Sequence, residues 1–298
     1  MRVVTDAGAT VHAPAKVNLS LRVHGRRPDG YHELTSLVAF ADVGDTLQVF
    51  PSYEFALHVD GTAAHRIDGE NLIARAASLL EAQCSGVAPG RIHLAKHLPV
   101  GAGLGGGSAD VAAYLRAVMH LNADNLALSA MTNADRSALA LKLGADVPVC
   151  LHGETTWMCG IGERLVPLAN PLPAMHVVLV NPGIMVPTGP VFAALDAKPM
   201  TAPPAPPPKH IELDRLANDL EAPALRVAPD IAAARAALEQ MPDVQHVRMS
   251  GSGATYFGVF PDRSHANEAA FALSEAHPDW WVRAATLGVP RPDLKPIS

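Results

Sequence analysis

Residues 98–113 read Leu-Pro-Val-Gly-Ala-Gly-Leu-Gly-Gly-Gly-Ser-Ala-Asp-Val-Ala-Ala, a glycine-rich stretch that runs straight into a helical pattern. Gly101, Gly103, Gly105, Gly106 and Gly107 free the backbone to take positive φ and to approach a ligand closely. Successive N–H groups in such a turn form an anion-binding nest, and a helix start behind it adds the positive end of a dipole. Ser108 stands where an N-cap belongs, and from there Val111, Leu115, Val118 and Met119 mark one apolar helix face. Phosphate is the ligand this combination suits. The stretch is not of the Walker A type, because no Lys-Ser or Lys-Thr follows the last glycine. Nor is it a dinucleotide fingerprint, since no acidic residue ends a following strand at the expected distance. A flexible linker is the plain alternative. The strand-like run Arg91-Ile-His-Leu-Ala95 before it and the patterned helix after it argue against that.

Four more segments carry residues that are costly to bury without a purpose. In Pro14-Ala-Lys-Val-Asn18, Lys16 and Asn18 share one face of a predicted strand, about 7 Å apart. Asp29-Gly-Tyr-His-Glu-Leu34 sets Tyr31, His32 and a carboxylate just beyond a turn, a mixture found in ligand-binding loops and in plain capped turns alike. In Leu143-Gly-Ala-Asp-Val-Pro-Val149, Asp146 is enclosed by apolar neighbours and is either a helix cap or a catalytic carboxylate. Ser250-Gly-Ser-Gly-Ala-Thr255 joins two predicted strands, either as a tight hairpin or as backbone that must approach a ligand.

The elements that would position these groups follow from periodicity. Residues 14–23 alternate, with Val17, Leu19, Leu21 and Val23 on one face and Lys16, Asn18, Ser20 and Arg22 on the other, as in a half-buried strand. Arg26-Arg-Pro-Asp-Gly-Tyr31 reads as a turn, and strands are predicted at 34–40 and 45–50. The pattern then predicts a helix at 71–83, a strand at 91–95 and a helix at 135–143 broken by Gly144. Strands at 155–159 and 175–181 follow. Beyond them come helices at 211–217 and 227–240, strands at 244–249 and 255–260, a helix at 264–276 and a strand at 280–286. Residues 198–209 are rich in proline and read as an extended surface loop rather than as a proline-recognition ligand. The whole is an α+β pattern, expected as two domains, 1–165 and 166–298.

Composition bounds the function. The chain has 298 residues, 49% hydrophobic and 17% charged, and a net charge of −6 with no basic run, so a nucleic-acid surface is not expected. Three cysteines at no metal or redox spacing fit reduced thiols and a cytoplasmic protein. Residues 1–6 carry no apolar signal core, and no stretch is long enough to span a bilayer, so no membrane partner is expected. His93 and His97 lie four apart on a predicted strand without the Glu of a zincin pair, and read as surface residues rather than as a metal site.

Taken together, Pro-x-Lys-x-Asn, Pro-x-Gly-x-Gly-Leu-Gly-Gly-Gly-Ser and Ser-Gly-Ser-Gly-Ala resemble, in order and spacing, the three hallmark motifs of the GHMP kinase superfamily. Gly25-Arg-Arg-Pro-Asp-Gly-Tyr-His-Glu-Leu34, Gly144-Ala-Asp-Val-Pro148 and Asn218-Asp-Leu-Glu221 are similar to its non-mevalonate isoprenoid branch, and the resemblance runs from residue 14 to about 260. It implies a domain like domain 2 of ribosomal protein S5 followed by a ferredoxin-like domain. It also implies ATP-dependent phosphorylation, with Mg²⁺, of the 2-hydroxyl of 4-diphosphocytidyl-2-C-methyl-D-erythritol, in a monomer or weak homodimer.

By the same resemblance Lys16 and Asp146 match the catalytic pair. The ATP-phosphate loop is matched by Pro99, Val100, Gly101, Ala102, Gly103, Leu104, Gly105, Gly106, Gly107, Ser108 and Ala109, with Ser108 reaching the metal through Mg-ATP. Tyr31 and His32 match residues that hold a cytosine, Phe192 looks like the opposing aromatic, and Asn18 and Thr188 match polar residues lining the substrate. Two positions depart from many relatives: Ala102 replaces a glycine, implying no need for positive φ there, and Ala109 replaces a serine. Another GHMP kinase, acting on mevalonate, homoserine or a sugar, is the nearest rival. A nucleotide-binding regulator without turnover is the rival of another class.

Overall fold

The protein is described by a computed structural model over residues 7–63, 71–289 and 294–297; the segment 1–6, read above for a signal core, lies outside the described residues. In chain order the first half contains β1 (Gly8–Arg26), β2 (His32–Phe50), β3 (Ala56–Asp60), α1 (Leu72–Gln83), β4 (Arg91–Ala95) and α2 (Gly106–Leu121). Then come α3 (Leu126–Ser129), α4 (Asn133–Leu143), α5 (Val147–His152), β5 (Thr156–Gly160), β6 (Arg164–Pro167) and β7 (Met175–Asn181). The remainder is α6 (Thr188–Ala194), α7 (Glu221–Val227), α8 (Ala232–Glu239), β8 (His246–Met249), β9 (Tyr256–Phe260), α9 (Arg263–Ala276), β10 (Trp281–Leu287) and β11 (Lys295–Ile297).

The two 19-residue strands β1 and β2 form a long antiparallel hairpin around the predicted turn, where the Asp29 carboxylate accepts the Tyr31 N–H at 3.1 Å. β2 then serves as a hub. It pairs β1, β4 and β5, and through one register pair, Ala41 with Leu287, it meets the second sheet β10–β7–β9–β8. β3 pairs β4 in parallel, with α1 in the crossover between them. The other strand pairings among the described residues are antiparallel.

The first core is built around α2, whose Val111, Leu115 and Val118 are buried as the periodicity predicts, along with most of the helix's other faces. A helix so enclosed is a central strut, and its start is correspondingly well fixed. The second core gathers Val178, Val180, Tyr256 and Phe260 beneath α8 and α9. Burying apolar side chains such as these valines and Phe260 contributes about 1.5–3 kcal/mol each. Cys84, Cys150 and Cys159 are free thiols, all buried.

Several expectations are corrected. Residues 13–21 of β1 are buried on both faces, not one, and bulges near Pro14, Asn18 and Val23 interrupt the strict alternation. The second sheet packs on Ala15, Val17 and Leu19, while the glycine loop and the turn at Ser250 and Gly251 cover Lys16 and Asn18 on the other face. The expected helix at 211–217 is a single 3₁₀ turn, Leu213–Arg215, and that at 227–240 is a 3₁₀ turn, Pro229–Ile231, continued by α8, with α7 an unexpected helix before it. β3, α3, β6 and α6 were not anticipated, nor was α5, which is six residues long with Pro148 in its first turn. Segments that short show no readable period, and proline is tolerated at a helix start where its N–H is not needed. Residues 201–209 do form an extended, largely exposed stretch. No helix among the described residues is long and apolar enough to cross a membrane.

Candidate active site

The glycine stretch is a tight loop at the N-terminus of α2. Gly101, Gly103 and Gly105 take φ of 65°, 74° and 62°, the left-handed region that a side chain disfavours. Gly105 is itself the N-cap of α2, which begins at Gly106. Ser108 is therefore not the cap, as the sequence suggested, but a first-turn residue whose side chain lines the cleft. The helix starts earlier than a serine cap requires because glycine at 105 accepts the reversal directly. Ala102 sits outside the positive-φ set, as its side chain implied.

Backbone and side-chain bonds tie this loop to both sheets. The Lys16 N–H donates to the Leu104 carbonyl at 2.9 Å, and the Thr255 N–H donates to the Ala102 carbonyl at 3.2 Å. Ser250 forms a bridge: its hydroxyl donates to the Gly103 carbonyl at 2.9 Å and accepts the Asn18 N–H at 3.0 Å. The Asn218 amide donates to the Met249 and Gly251 carbonyls at 2.8 Å each, which fixes the Ser-Gly-Ser-Gly turn in place. That turn closes the β8–β9 hairpin, the first of the two readings offered above. It packs against the glycine loop.

On the covered face of β1, Lys16 Nζ lies 3.0 Å from Asp146 Oδ2 and donates to Asn18 Oδ1 at 2.8 Å. Asn18 in turn donates to Ser36 Oγ at 2.7 Å. Asp146 occupies the N-cap position of α5, yet its side chain makes no capping bond. It turns to the ammonium instead. Gly105 is where these parts come together: a Cβ there would lie 3.0 Å from Lys16 Cε and 3.9 Å from Asp146 Oδ2. A cleft of about 400 Å³ is bounded by Lys16, Asn18, the loop glycines, Ser108, Asp146, Thr188, Phe192 and Ser252. Thr188 and Ser252 share a hydroxyl–hydroxyl bond of 2.9 Å across its far wall.

The aromatic group sits at one end of this cleft, arranged differently from expectation. His32 packs against Phe192, with ring centroids 4.9 Å apart and planes 31° apart, while Tyr31 is 58% exposed. Burial, and then the nearby Arg26 charge, hold His32 below the usual imidazole range. A second hollow of about 400 Å³ adjoins the pair, lined by Arg26, Gly30, His32, Phe192 and Asp196. Pro99 and Val100 line not this cleft but a smaller hollow of about 140 Å³, shared with Asn71, Leu72, Lys96 and Asp110. Leu104 and Ala109 are buried and offer the site only backbone.

Sequence reasoning missed the group beneath the loop. Lys96, Asp45 and Asp110 are all buried; Lys96 Nζ donates to Asp110 Oδ2 at 2.7 Å and is in close contact with Asp45 Oδ2. Asp45 Oδ1 also accepts the N–H groups of His97 and Leu98, the latter at 2.8 Å. The strand leading into the loop and the helix leaving it are therefore clamped at their base. One cation faces two carboxylates, and Asp110 Oδ1 has no hydrogen-bond partner among the described residues. Burial, reinforced by Asp45 and opposed by Lys96, pushes the Asp110 carboxyl up to about 8. The available signal was an acid on the same helix face as Ala113, Tyr114 and Ala117, three, four and seven residues on.

Known proteins match this architecture from end to end. The family model described as the GHMP kinases N terminal domain matches residues 71–154, and the GHMP kinases C terminal model matches residues 209–279. A curated protein of Cereibacter sphaeroides, named 4-diphosphocytidyl-2-C-methyl-D-erythritol kinase, is 47% identical over 284 residues, covering 92% of this chain and 98% of that one. A crystal structure of 4-(cytidine 5'-diphospho)-2C-methyl-D-erythritol kinase superposes with a TM-score of 0.74 at 38% identity, covering 94% of this chain and 99% of that one. A homoserine kinase from Cytophaga hutchinsonii shares the fold at a TM-score of 0.62 and 16% identity, covering 100% of this chain and 99% of that one. The chain belongs to the GHMP kinases and, within them, to the 4-diphosphocytidyl-2-C-methyl-D-erythritol kinase family.

Proposed function

We propose that this kinase moves the terminal phosphoryl group of ATP onto the 2-hydroxyl of 4-diphosphocytidyl-2-C-methyl-D-erythritol, with Lys16 and Asp146 as the residues at the reacting oxygen. The observation that carries this is the 3.0 Å pair of Lys16 and Asp146, held against the glycine that starts α2. Phosphoryl transfer needs attacking and leaving oxygens in line and the charge of the moving group held by fixed donors. The loop N–H groups and the α2 dipole meet the second need. The first falls to the pair: Asp146 accepts the hydroxyl proton late in the transfer, and Lys16 steadies the developing alkoxide. Asp is a far weaker base than an alkoxide, so positioning carries much of the effect.

Mg²⁺ takes oxygen ligands and neutralises phosphate charge. The cleft offers the Ser108 hydroxyl and the Asp146 carboxylate, a donor set that fits it, and Ser108 is the residue assigned to hold it through Mg-ATP. With the reacting end of the nucleotide at Lys16, its base leaves on the opposite side of the loop. The hollow of Asn71, Leu72, Pro99 and Val100 is the space in that direction.

The cytidine end is assigned to Phe192, His32 and Tyr31, beside Arg26. His32 covers the ring of Phe192 in this structure, so a cytosine takes its place there and the mobile partner is the imidazole or the exposed Tyr31. Asn18 and Thr188 line the path of the polyol between. The reading also divides the chain near residue 165, and puts a monomer or weak homodimer in the cytoplasm. Incubation with ATP and the cytidylated substrate, scored by ADP release and by the 2-phosphate product, tests it. Equal turnover on an alcohol lacking the cytidine diphosphate would overturn the substrate, and no turnover on any alcohol would overturn the kinase reading.

A further inference from the structure

We propose that His58, Asp60 and His93 form a site for a borderline divalent transition metal, Zn²⁺ being the type case, on the outer face of the β3–β4 pair. The parallel register sets His58 directly opposite His93, and Asp60 lies two residues along the same strand and therefore on the same face. Leu57, Val59, Ile92 and Leu94 alternate with them and pack on the first core, so the three polar side chains are committed to the outer side.

Their donor atoms all lie within 4.8 Å of one another. His93 Nε2 is 2.7 Å from Asp60 Oδ2, and the two imidazoles stack with centroids 5.2 Å apart. Bonds of about 2.0–2.2 Å to zinc place donors of a tetrahedral ion about 3.3 Å apart. The rest of that gap lies at side chains free to turn, since His58 and Asp60 are both exposed. Two imidazoles and one carboxylate are the donors of three-ligand zinc sites that keep a fourth position for water. Nitrogen donors of this kind suit Zn²⁺, Ni²⁺ or Cu²⁺ and not the oxygen-seeking Mg²⁺ that accompanies ATP.

Sequence spacing cannot show this set, because His58 and His93 are joined only by the β3–α1–β4 crossover. The plain alternative is a surface His–Asp hydrogen bond with a stacked neighbour. What favours a metal is that all three donors come from two strands locked in register, so little ordering is left for the ion to impose. Among the described strands β3 is bonded only to β4, and an ion held by both would pin that outer strand.

The test is calorimetric titration of the full chain with ZnCl₂, free of nucleotide, alongside His58→Gln, His93→Gln and Asp60→Asn. One saturable Zn²⁺ site is expected in the unmodified chain. Each histidine variant should weaken it at least about tenfold, the scale on which lost support of a metal site is felt. Co²⁺ should give a visible absorption band that the same variants lose, and binding should fall on acidification as protons compete for the imidazoles. Circular dichroism without metal checks that each variant is folded, and turnover of metal-free His58→Gln should equal that of the parent. No binding, or binding as strong in either histidine variant as in the unmodified chain, would overturn the site.

Discussion

Lys16 Nζ and Asp146 Oδ2 stand 3.0 Å apart, the lysine side chain 4% exposed and the aspartate 33% exposed to the cleft. A buried ammonium facing a half-open carboxylate leaves the carboxylate able to meet a substrate while the cation keeps its place. Asp146→Asn should keep the shape and lose the proton acceptor. We expect kcat to fall by about 10²–10⁴-fold, the usual weight of a positioned acid or base, with ATP binding little changed. Lys16→Ala should lose turnover comparably. Steady-state kinetics together with nucleotide titration separates the two effects.

Gly105→Ala is expected to be disproportionately harmful for one methyl group. The left-handed φ of 62° costs an L residue about 1–2 kcal/mol, and the new Cβ would press within 3.0 Å of Lys16 Cε. Turnover should fall at least about tenfold through displacement of Lys16. Gly107→Ala, where the nearest protein atom is Leu72 Cδ1 at 3.6 Å, should leave the stability of the fold nearly unchanged in urea denaturation.

The clamp under the loop should show in the pH dependence of stability. Asp110 has a folded pKa raised from 3.8 to about 8, by burial first and by Asp45 second. The folded protein then holds a proton that the unfolded chain has released, so this group stabilises fully below pH 3.8 and its contribution is gone above about 8. Across that interval the parent protein should lose stability relative to Asp110→Asn, which cannot ionise. Urea denaturation at stepped pH would show converging or parallel curves; parallel ones contradict the assignment.

Phe192→Ala tests the cytidine end. A base stacked on an aromatic ring is worth about 1–3 kcal/mol, so KM for the cytidylated substrate should rise by about tenfold. KM for ATP should stay where it was. Equal losses for both substrates would place Phe192 outside the cytidine pocket.

Motif order and glycine spacing made the loop, the Lys16 strand and Asp146 legible in the sequence. Asp146 was readable as cap or as carboxylate; it stands at the N-cap position of α5, yet its side chain makes no capping bond and turns toward Lys16. Burial of both faces of β1 was not legible, because the turn that covers Asn18 and the sheet that covers Val17 are both distant in sequence. Ser250 belonged to a recognisable motif, yet its bond to Gly103 spans 147 residues, and no local pattern encodes such a contact. Lys96, just past one predicted strand, and Asp45, at the start of another, gave no signal for the same reason: each is polar because of what the other brings. Short helices such as α5 were lost where proline at the start looked like a breaker.

The three buried thiols give the chain a chemical quietness with a practical side. Burial raises the pKa of Cys84, Cys150 and Cys159, so none offers a thiolate to oxidants or alkylating agents while the fold is closed. Reagent uptake then counts openings of the molecule rather than surface encounters. Cys150 lies one turn beyond Asp146 in the same short helix, so its labelling rate is a clock for how often the floor of the cleft comes apart.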